Sequence, residues 1–465
     1  MKVILLYNII ISGIIKTTKT KEKGDTMEIV FKNEKPKYLE LYEQIIKLID
    51  SGSLKANEHL PSKRNLALNL NISLSTVINA YELLVDEGYI YTIEKKGYYV
   101  SEMPICHHNE IKTIVEKDKN IKYKYDFTTQ SVKNFNSIHF KKIIKDLNDN
   151  FDYLDKSPLL GRMDLRIAIS NHLAQNRAIQ VSPSNIIIGS GLEMLENIIK
   201  IIDCDNITLE NPGYHKLKII GLNNNYKINY LDLDDEGVKI PNYKTILYTT
   251  PFNQFPTGTK MSIKRKKELI SNAINYSSYI IEDDFDAEFR INQAPTTSIY
   301  SLCNTNTIFF STFSNTLFPG FRLAYTILPN DLLKLYLEKY NNYNNPVSSI
   351  TQIILRDFIN NGGYAYYINK RKKELINKRN ICINKLKNYC SIDIKKNYLS
   401  LLINVNNADL IIDKAYKNNI LIQSLKNYDV YKKDNNTLII GYTGIEINEL
   451  DKAMDALIKI IKETI

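Results

Sequence analysis

Tryptophan is absent from this chain of 465 residues, and cysteine, proline and glycine are scarce, at 5, 13 and 17. The five cysteines are widely spaced and form no CxxC pair. That excludes a disulfide framework and a zinc ribbon and points to a reducing compartment, here the cytoplasm. Cys106-His107-His108 is the single Cys/His cluster, and adjacent residues rarely aim at one ion, so it reads as polar linker. The shortage of Pro and Gly excludes collagen-like and low-complexity chains. No apolar run reaches the ~20 residues needed to span a bilayer as a helix. Neither sign of charge dominates: 61 basic against 51 acidic residues leave +10, compatible with nucleic acid without establishing it. What is present, 44% apolar and 24% charged residues, is ordinary globular composition. At ~100–200 residues per domain, the length implies two or three domains.

The N-terminus carries an apolar stretch, Val3–Ile15, behind Lys2 and without a small-residue cleavage site after it. Met27 stands directly before the first well-patterned segment. Residues 1–26 therefore read as an extension upstream of the expected start, with a membrane anchor as the rival reading.

Over residues 27–103 the pattern is compact. Leu41, Ile45, Leu48 and Ile49 predict a helix over Tyr38–Asp50. Ser62 is placed to cap a second helix carrying Lys63, Arg64, Leu66, Ala67 and Leu70, and Asn71-Ile72 makes a turn. Ser73 is placed to cap a third, running to Glu87 with Val77, Ala80, Tyr81 and Leu84 on one face. Tyr89–Ile93 and Tyr98–Val100 read as a hairpin. Three helices and a hairpin make a winged helix-turn-helix. Ser73, Ser75, Thr76 and Asn79 lie on the polar face of the third helix, where short side chains can reach base edges. Ser62, Lys63 and Arg64 open the second helix, a place suited to a phosphate. Lys95 and Lys96 sit at the wing tip. Charge alone does not make the case: residues 27–103 hold nine basic and eleven acidic residues.

Pro61, Ser62, Lys63, Arg64, Leu66, Ala67, Ser73, Thr76, Val77, Ala80, Tyr81, Leu84, Gly88 and Tyr89 together resemble the signature of the GntR family of bacterial transcription regulators. One departure is Leu74, where the family usually carries an Arg that touches DNA. The resemblance implies binding to double-stranded operator DNA.

Residues 104–124 are a polar linker, and 125–465 alternate short β-branched runs with helical stretches. That predicts an α/β unit with a mainly parallel sheet and a small C-terminal lobe, so the fold is multidomain, α+β joined to α/β. Ligands in such sheets bind beyond the carboxyl ends of the strands. After the expected strand Asn185–Ile188 comes Gly189-Ser190-Gly191, then an expected helix Leu192–Ile202. Asn211-Pro212-Gly213-Tyr214 follows Asn206–Leu209, and a Thr250–Gly258 loop containing Asn253 and Gln254 follows Thr245–Tyr248. Asp283 and Asp284 follow Ser278–Glu282; Phe313–Arg322 follows Thr307–Ser311.

In order, these segments resemble the fold-type I, pyridoxal-phosphate-dependent aminotransferases. The whole from about residue 28 onward is similar to the MocR/GabR-type subgroup of GntR regulators, which join both parts. The resemblance implies that Ser190, Gly191 and Arg322 face the cofactor phosphate, that Tyr214 stacks near the ring, and that Asp283 pairs with its nitrogen. It places Asn253, Phe285, Ser314 and Asn315 at the ring and aldehyde. Three positions depart, and as a fourth departure no Arg stands near Leu438–Tyr442, where many aminotransferases hold the substrate carboxylate. Asn315 replaces the lysine that bonds covalently to the cofactor, and an amide is not nucleophilic. Phe285 replaces a tyrosine. Lys216 stands where an arginine is expected in some members. Natural loss of the lysine and an introduced substitution both fit Asn315. The resulting expectation is a homodimeric regulator, not an enzyme, that senses an amino-acid-like or pyridoxal-phosphate-related effector, with any pyridoxal phosphate held non-covalently. The alternative is an aminotransferase with an accessory DNA-binding domain.

Overall fold

The computed structural model describes residues 29–31, 35–102, 123–128, 135–147, 154–289, 297–393, 399–433 and 436–464. The 1–26 extension, the expected start at Met27, Cys106–His108 and most of the 104–124 linker lie outside these. The chain divides into two compact units near residue 120.

In the first unit, α1 (Lys37–Asp50) packs against α3 (Leu74–Asp86), which also packs against α2 (Lys63–Leu70). Both expected caps form. Ser62 Oγ accepts the Asn65 amide at 3.2 Å, and Ser73 Oγ accepts the Thr76 amide at 3.2 Å. Asn71 turns the chain between α2 and α3 in the left-handed region, at φ 51°. Leu41, Ile45, Val77, Ala80, Tyr81 and Leu84 close the core, and Tyr81 donates its hydroxyl to the Pro61 carbonyl at 2.9 Å. β1 (Ile90–Ile93) and β2 (Gly97–Val100) form the antiparallel wing.

The second unit begins at β3 (Tyr125–Asp126), followed by α4 (Ile138–Asp146) and α5 (Met163–Arg177). Its large sheet uses β4 (Ile186–Gly189), β5 (Asn206–Asn211), β6 (Lys227–Asp234), β7 (Gly237–Val238), β8 (Ile246–Thr249), β9 (Tyr279–Asp283), β10 (Thr307–Thr312) and β11 (Ala324–Ile327). The order across the sheet is β4-β11-β10-β9-β8-β5-β6-β7. The pairs from β10 to β6 are parallel, whereas β11 and β7 run antiparallel to their neighbours. Parallel strands covered on both faces are continuously apolar. Phe309 and Phe310 show why: successive side chains enter opposite cores, Phe309 beside Ile188 and Tyr325, Phe310 beside Ile281 and Ile308. The small lobe holds β12 (Ser391–Ile392), β13 (Ser400–Asn404), β14 (Ile420–Leu421), β15 (Gln423–Ser424) and β16 (Thr437–Gly441). β14 pairs with β3, tying the start of the unit to this lobe.

Two local expectations are corrected. The helix expected over Leu192–Ile202 is a 3-10 turn, Leu192–Met194, then α-helix only over Leu195–Ile199. Gly191, at φ 91°, starts the tighter turn, and Ile201 and Ile202 close back onto Ile198 and Ile199 in i→i−3 bonds. The strand expected at Asn185 starts at Ile186 because Pro183–Asn185 forms its own 3-10 turn. Among the described residues no helix is long and apolar enough to cross a membrane.

Candidate functional site

On the first unit, Arg64, Ser75 and Asn79 are exposed and Thr76 is half-buried, all on the surface made by α2 and the start of α3. Ser73 is committed to its cap and lies 3.0 Å from Ser75 Oγ and 2.7 Å from Thr76 Oγ1. Ser62 is likewise committed to its cap. Lys63 Nζ sits 5.2 Å from the Tyr98 ring centroid, so the wing's aromatic face positions its charge. Lys95 and Lys96 are exposed at the hairpin tip, and Lys95 takes φ 62° to make that turn. His59, which sequence reasoning passed over, braces the wing: its Nε2 lies 2.9 Å from the Lys96 carbonyl. Leu74 is 41% exposed beside these polar groups.

On the second unit, a cleft of about 450 Å³ opens where β8, β9 and β10 end. Tyr248 and Asp283 lie at these strand ends. Tyr214, Phe255, Phe285 and Tyr428 line it with aromatic rings, and Gly191, Lys216, Ser314, Asn315 and Arg322 complete the wall. Phe255 is the hub of the rings, with centroids 4.8 Å from Tyr428 and 6.2 Å from Tyr214 in edge-to-face contact. The loop bearing Tyr214 is fixed from the small lobe: Asn211 donates to Asp429 at 2.9 Å, and the Gly213 amide donates to the Tyr428 carbonyl at 3.0 Å.

Asp283 is buried at the floor. Tyr248 donates its hydroxyl to Oδ2, while Oδ1 has no hydrogen-bond partner. Burial pushes its pKa up to about 8, against the Tyr248 bond and helped by Asp284 and Asp286 nearby. Burial also lifts Glu282 and Asp286 to about 7 each. Ser314 Oγ is a second buried atom without a partner. An orphaned carboxyl oxygen and an orphaned hydroxyl in an aromatic cleft are what a ring with a polar nitrogen and oxygen would satisfy.

At the opposite end, Lys216 Nζ and Arg322 Nη2 both hold Glu193, at 2.6 and 3.0 Å. Arg322 also donates to the Ser190 carbonyl at 2.9 Å. Gly191 leaves room for this, since a Cβ there would lie 2.7 Å from Arg322 Nη2. Of the predicted residues, Gly191, Tyr214, Asp283, Phe285, Ser314, Asn315 and Arg322 come together. Ser190 contributes its carbonyl to Arg322. Asn253 lies behind the wall, buried and donating to Asp286, and Gln254 is spent on Glu210 and the Pro212 and Phe255 carbonyls.

Raised carboxyl pKa values carry a pH consequence. An acid whose folded pKa lies above its unfolded value loses stability as pH rises from the unfolded toward the folded value. Asp283, Glu282 and Asp286 should therefore make the second unit less stable between about pH 4 and 8. Asp283→Asn removes one of these ionisations, so its urea midpoint should vary less with pH than that of the parent. An equal or steeper dependence would contradict the assignment.

Residues 37–100 match the family described as bacterial regulatory proteins, gntR family. The chain is 31% identical over 448 residues to YdeL of Bacillus subtilis, an uncharacterised HTH-type transcriptional regulator, covering 91% of this chain and 96% of that one. The chain belongs to the GntR family, in its MocR-type branch. This GntR regulator is also 28% identical over 344 residues to the pyridoxine biosynthesis transcriptional regulator PdxR of Corynebacterium glutamicum, covering 70% of this chain and 73% of the relative. Its second unit has the aminotransferase fold. An archaeal alanine:glyoxylate aminotransferase superposes with a TM-score of 0.63 at 21% identity, over 70% of this chain and 87% of that enzyme.

The regulator's sequence concealed three features of the cleft. Tyr248 and Tyr428 carry no motif of their own and reach the cleft from a strand and the small lobe. Glu193 stands two places after Gly191, but the side chains it binds lie 23 and 129 residues away.

Proposed function

We propose that this GntR-family transcription regulator binds operator DNA through α3 and the wing as a cytoplasmic homodimer, and that its aminotransferase-like unit senses a small molecule without transaminating it. The observation that carries the reading is Asn315 in a cleft that otherwise keeps a ring-binding floor. Asp283 Oδ1 and Ser314 Oγ, buried and unpartnered, fit the nitrogen and oxygen of a pyridine ring. The aldehyde end does not fit a covalent cofactor. Asn315 has no amine, and Lys216, the amine that does line the cleft, is engaged by Glu193. Pyridoxal phosphate as a bonded cofactor is therefore not supported, and the relatives named as regulators agree with a sensing role.

Arg64, Lys95 and Lys96 supply phosphate contacts, and Ser75, Thr76 and Asn79 face base edges. Arg64→Ala should weaken binding to every DNA sequence alike and flatten its salt dependence. Asn79→Ala should relax preference at one base step, costing about 1–3 kcal/mol if the contact is direct. Mobility-shift titrations across a salt series check both. Affinity that ignores salt, or an Arg64→Ala loss confined to one sequence, would contradict the DNA surface assigned to α2, α3 and the wing.

A further inference from the structure

We infer that Glu193 makes the cleft select against phosphate esters, so that its ligand is an unphosphorylated nitrogen heterocycle. This rests on the reading of the cleft as a ring-binding site. Its two poles differ in what remains available. At the floor, Asp283 Oδ1 is buried without a partner, ready for a ring N–H. At the mouth, the cations that would hold an anion are already taken. Lys216 binds Glu193 Oε1 at 2.6 Å, Arg322 binds Glu193 Oε2 at 3.0 Å, and the residue's own amide bonds the same carboxylate. Burial works to raise the Glu193 pKa, but these donors outweigh it and keep the group ionised. Two cations facing one fixed anion leave a single net positive charge for a phosphate that carries about 1.5 to 2 negative charges. A phosphate entering there must displace or sit against Glu193, whereas a neutral hydroxymethyl group at the same place meets no such repulsion.

Because Glu193 is about half exposed, solvent screens part of this effect, and the expected discrimination is about tenfold rather than absolute. The test uses pyridoxine and pyridoxine 5′-phosphate, which share a ring, differ in one phosphate and lack an aldehyde. Calorimetric titration of the full chain should show pyridoxine bound at least as tightly as its phosphate. E193Q keeps the shape and removes the charge. It should tighten the phosphate ester by about tenfold and leave pyridoxine within about twofold. E193S, with a smaller side chain, should do the same and covers the case in which E193Q does not fold. A parent protein that prefers the ester, with both variants unchanged, overturns the inference while the ring-binding reading stands. Failure of both compounds to bind the parent and the variants overturns the ring-binding reading and the inference with it.

Discussion

Arg177→Met should destabilise the aminotransferase-like unit by about 3–5 kcal/mol, the usual cost of removing one partner of a buried ion pair. Arg177 closes α5 and pairs with Asp284, the residue directly after β9 and next to Asp283. The two side chains are only 7% and 2% exposed. Burial works against the Arg177 charge, but Asp284 and Glu288 outweigh it and raise its pKa, so the guanidinium stays charged. Methionine keeps most of the volume and removes the cation that pairs with Asp284. Asp284→Asn in the same chain should recover most of the loss, because a pair removed together leaves no isolated ion. Urea unfolding followed by circular dichroism measures both. A loss below about 1 kcal/mol for Arg177→Met would mean that the pair does not anchor the end of α5 to the end of β9.

The second large effect concerns covalent chemistry. Asn315→Lys places a primary amine in the cleft that holds the buried, unpartnered Asp283 Oδ1. The altered protein should take up pyridoxal or its phosphate covalently, and borohydride should fix the group at position 315. Phe285 leaves the ring oxygen without the phenol that a tyrosine would offer, so adding Phe285→Tyr should shift the absorbance of the bound group. If Glu193 acts as inferred, pyridoxal should react at lower concentration than its phosphate. Failure of both aldehydes to attach at position 315 would show that the cleft does not hold the ring beside that residue.

Local chemistry was legible from the sequence wherever it stayed local. Ser62 and Ser73 announce their caps because a cap reads only three residues ahead, and the alternating apolar runs announce a buried parallel sheet. Asp283 and Arg322 could be located because each follows a strand in a recognisable motif. Long-range pairings have no such signature. Nothing around Arg177 points to Asp284, nothing around Lys216 points to Glu193, and Tyr428 reaches the cleft only because the small lobe folds back onto the loop after β5. Asn253 lies in the recognised motif, but its pairing is equally long-range: its Nδ2 donates to Asp286, while its Oδ1 is buried without a partner. The tight turn over Leu192–Met194 was hidden because its apolar spacing suits a longer helix. Gly191 and the i→i−3 bonds decide the matter only once the backbone is in place.

On the reading proposed above, this regulator's cleft holds its ligand without a covalent bond. The most direct test is to incubate the unaltered protein with pyridoxal phosphate, reduce with borohydride and map the modified peptides by mass spectrometry. No stoichiometric attachment is expected at any cleft residue, with Lys216 left unmodified. One pyridoxyl group per chain on Lys216 would contradict it.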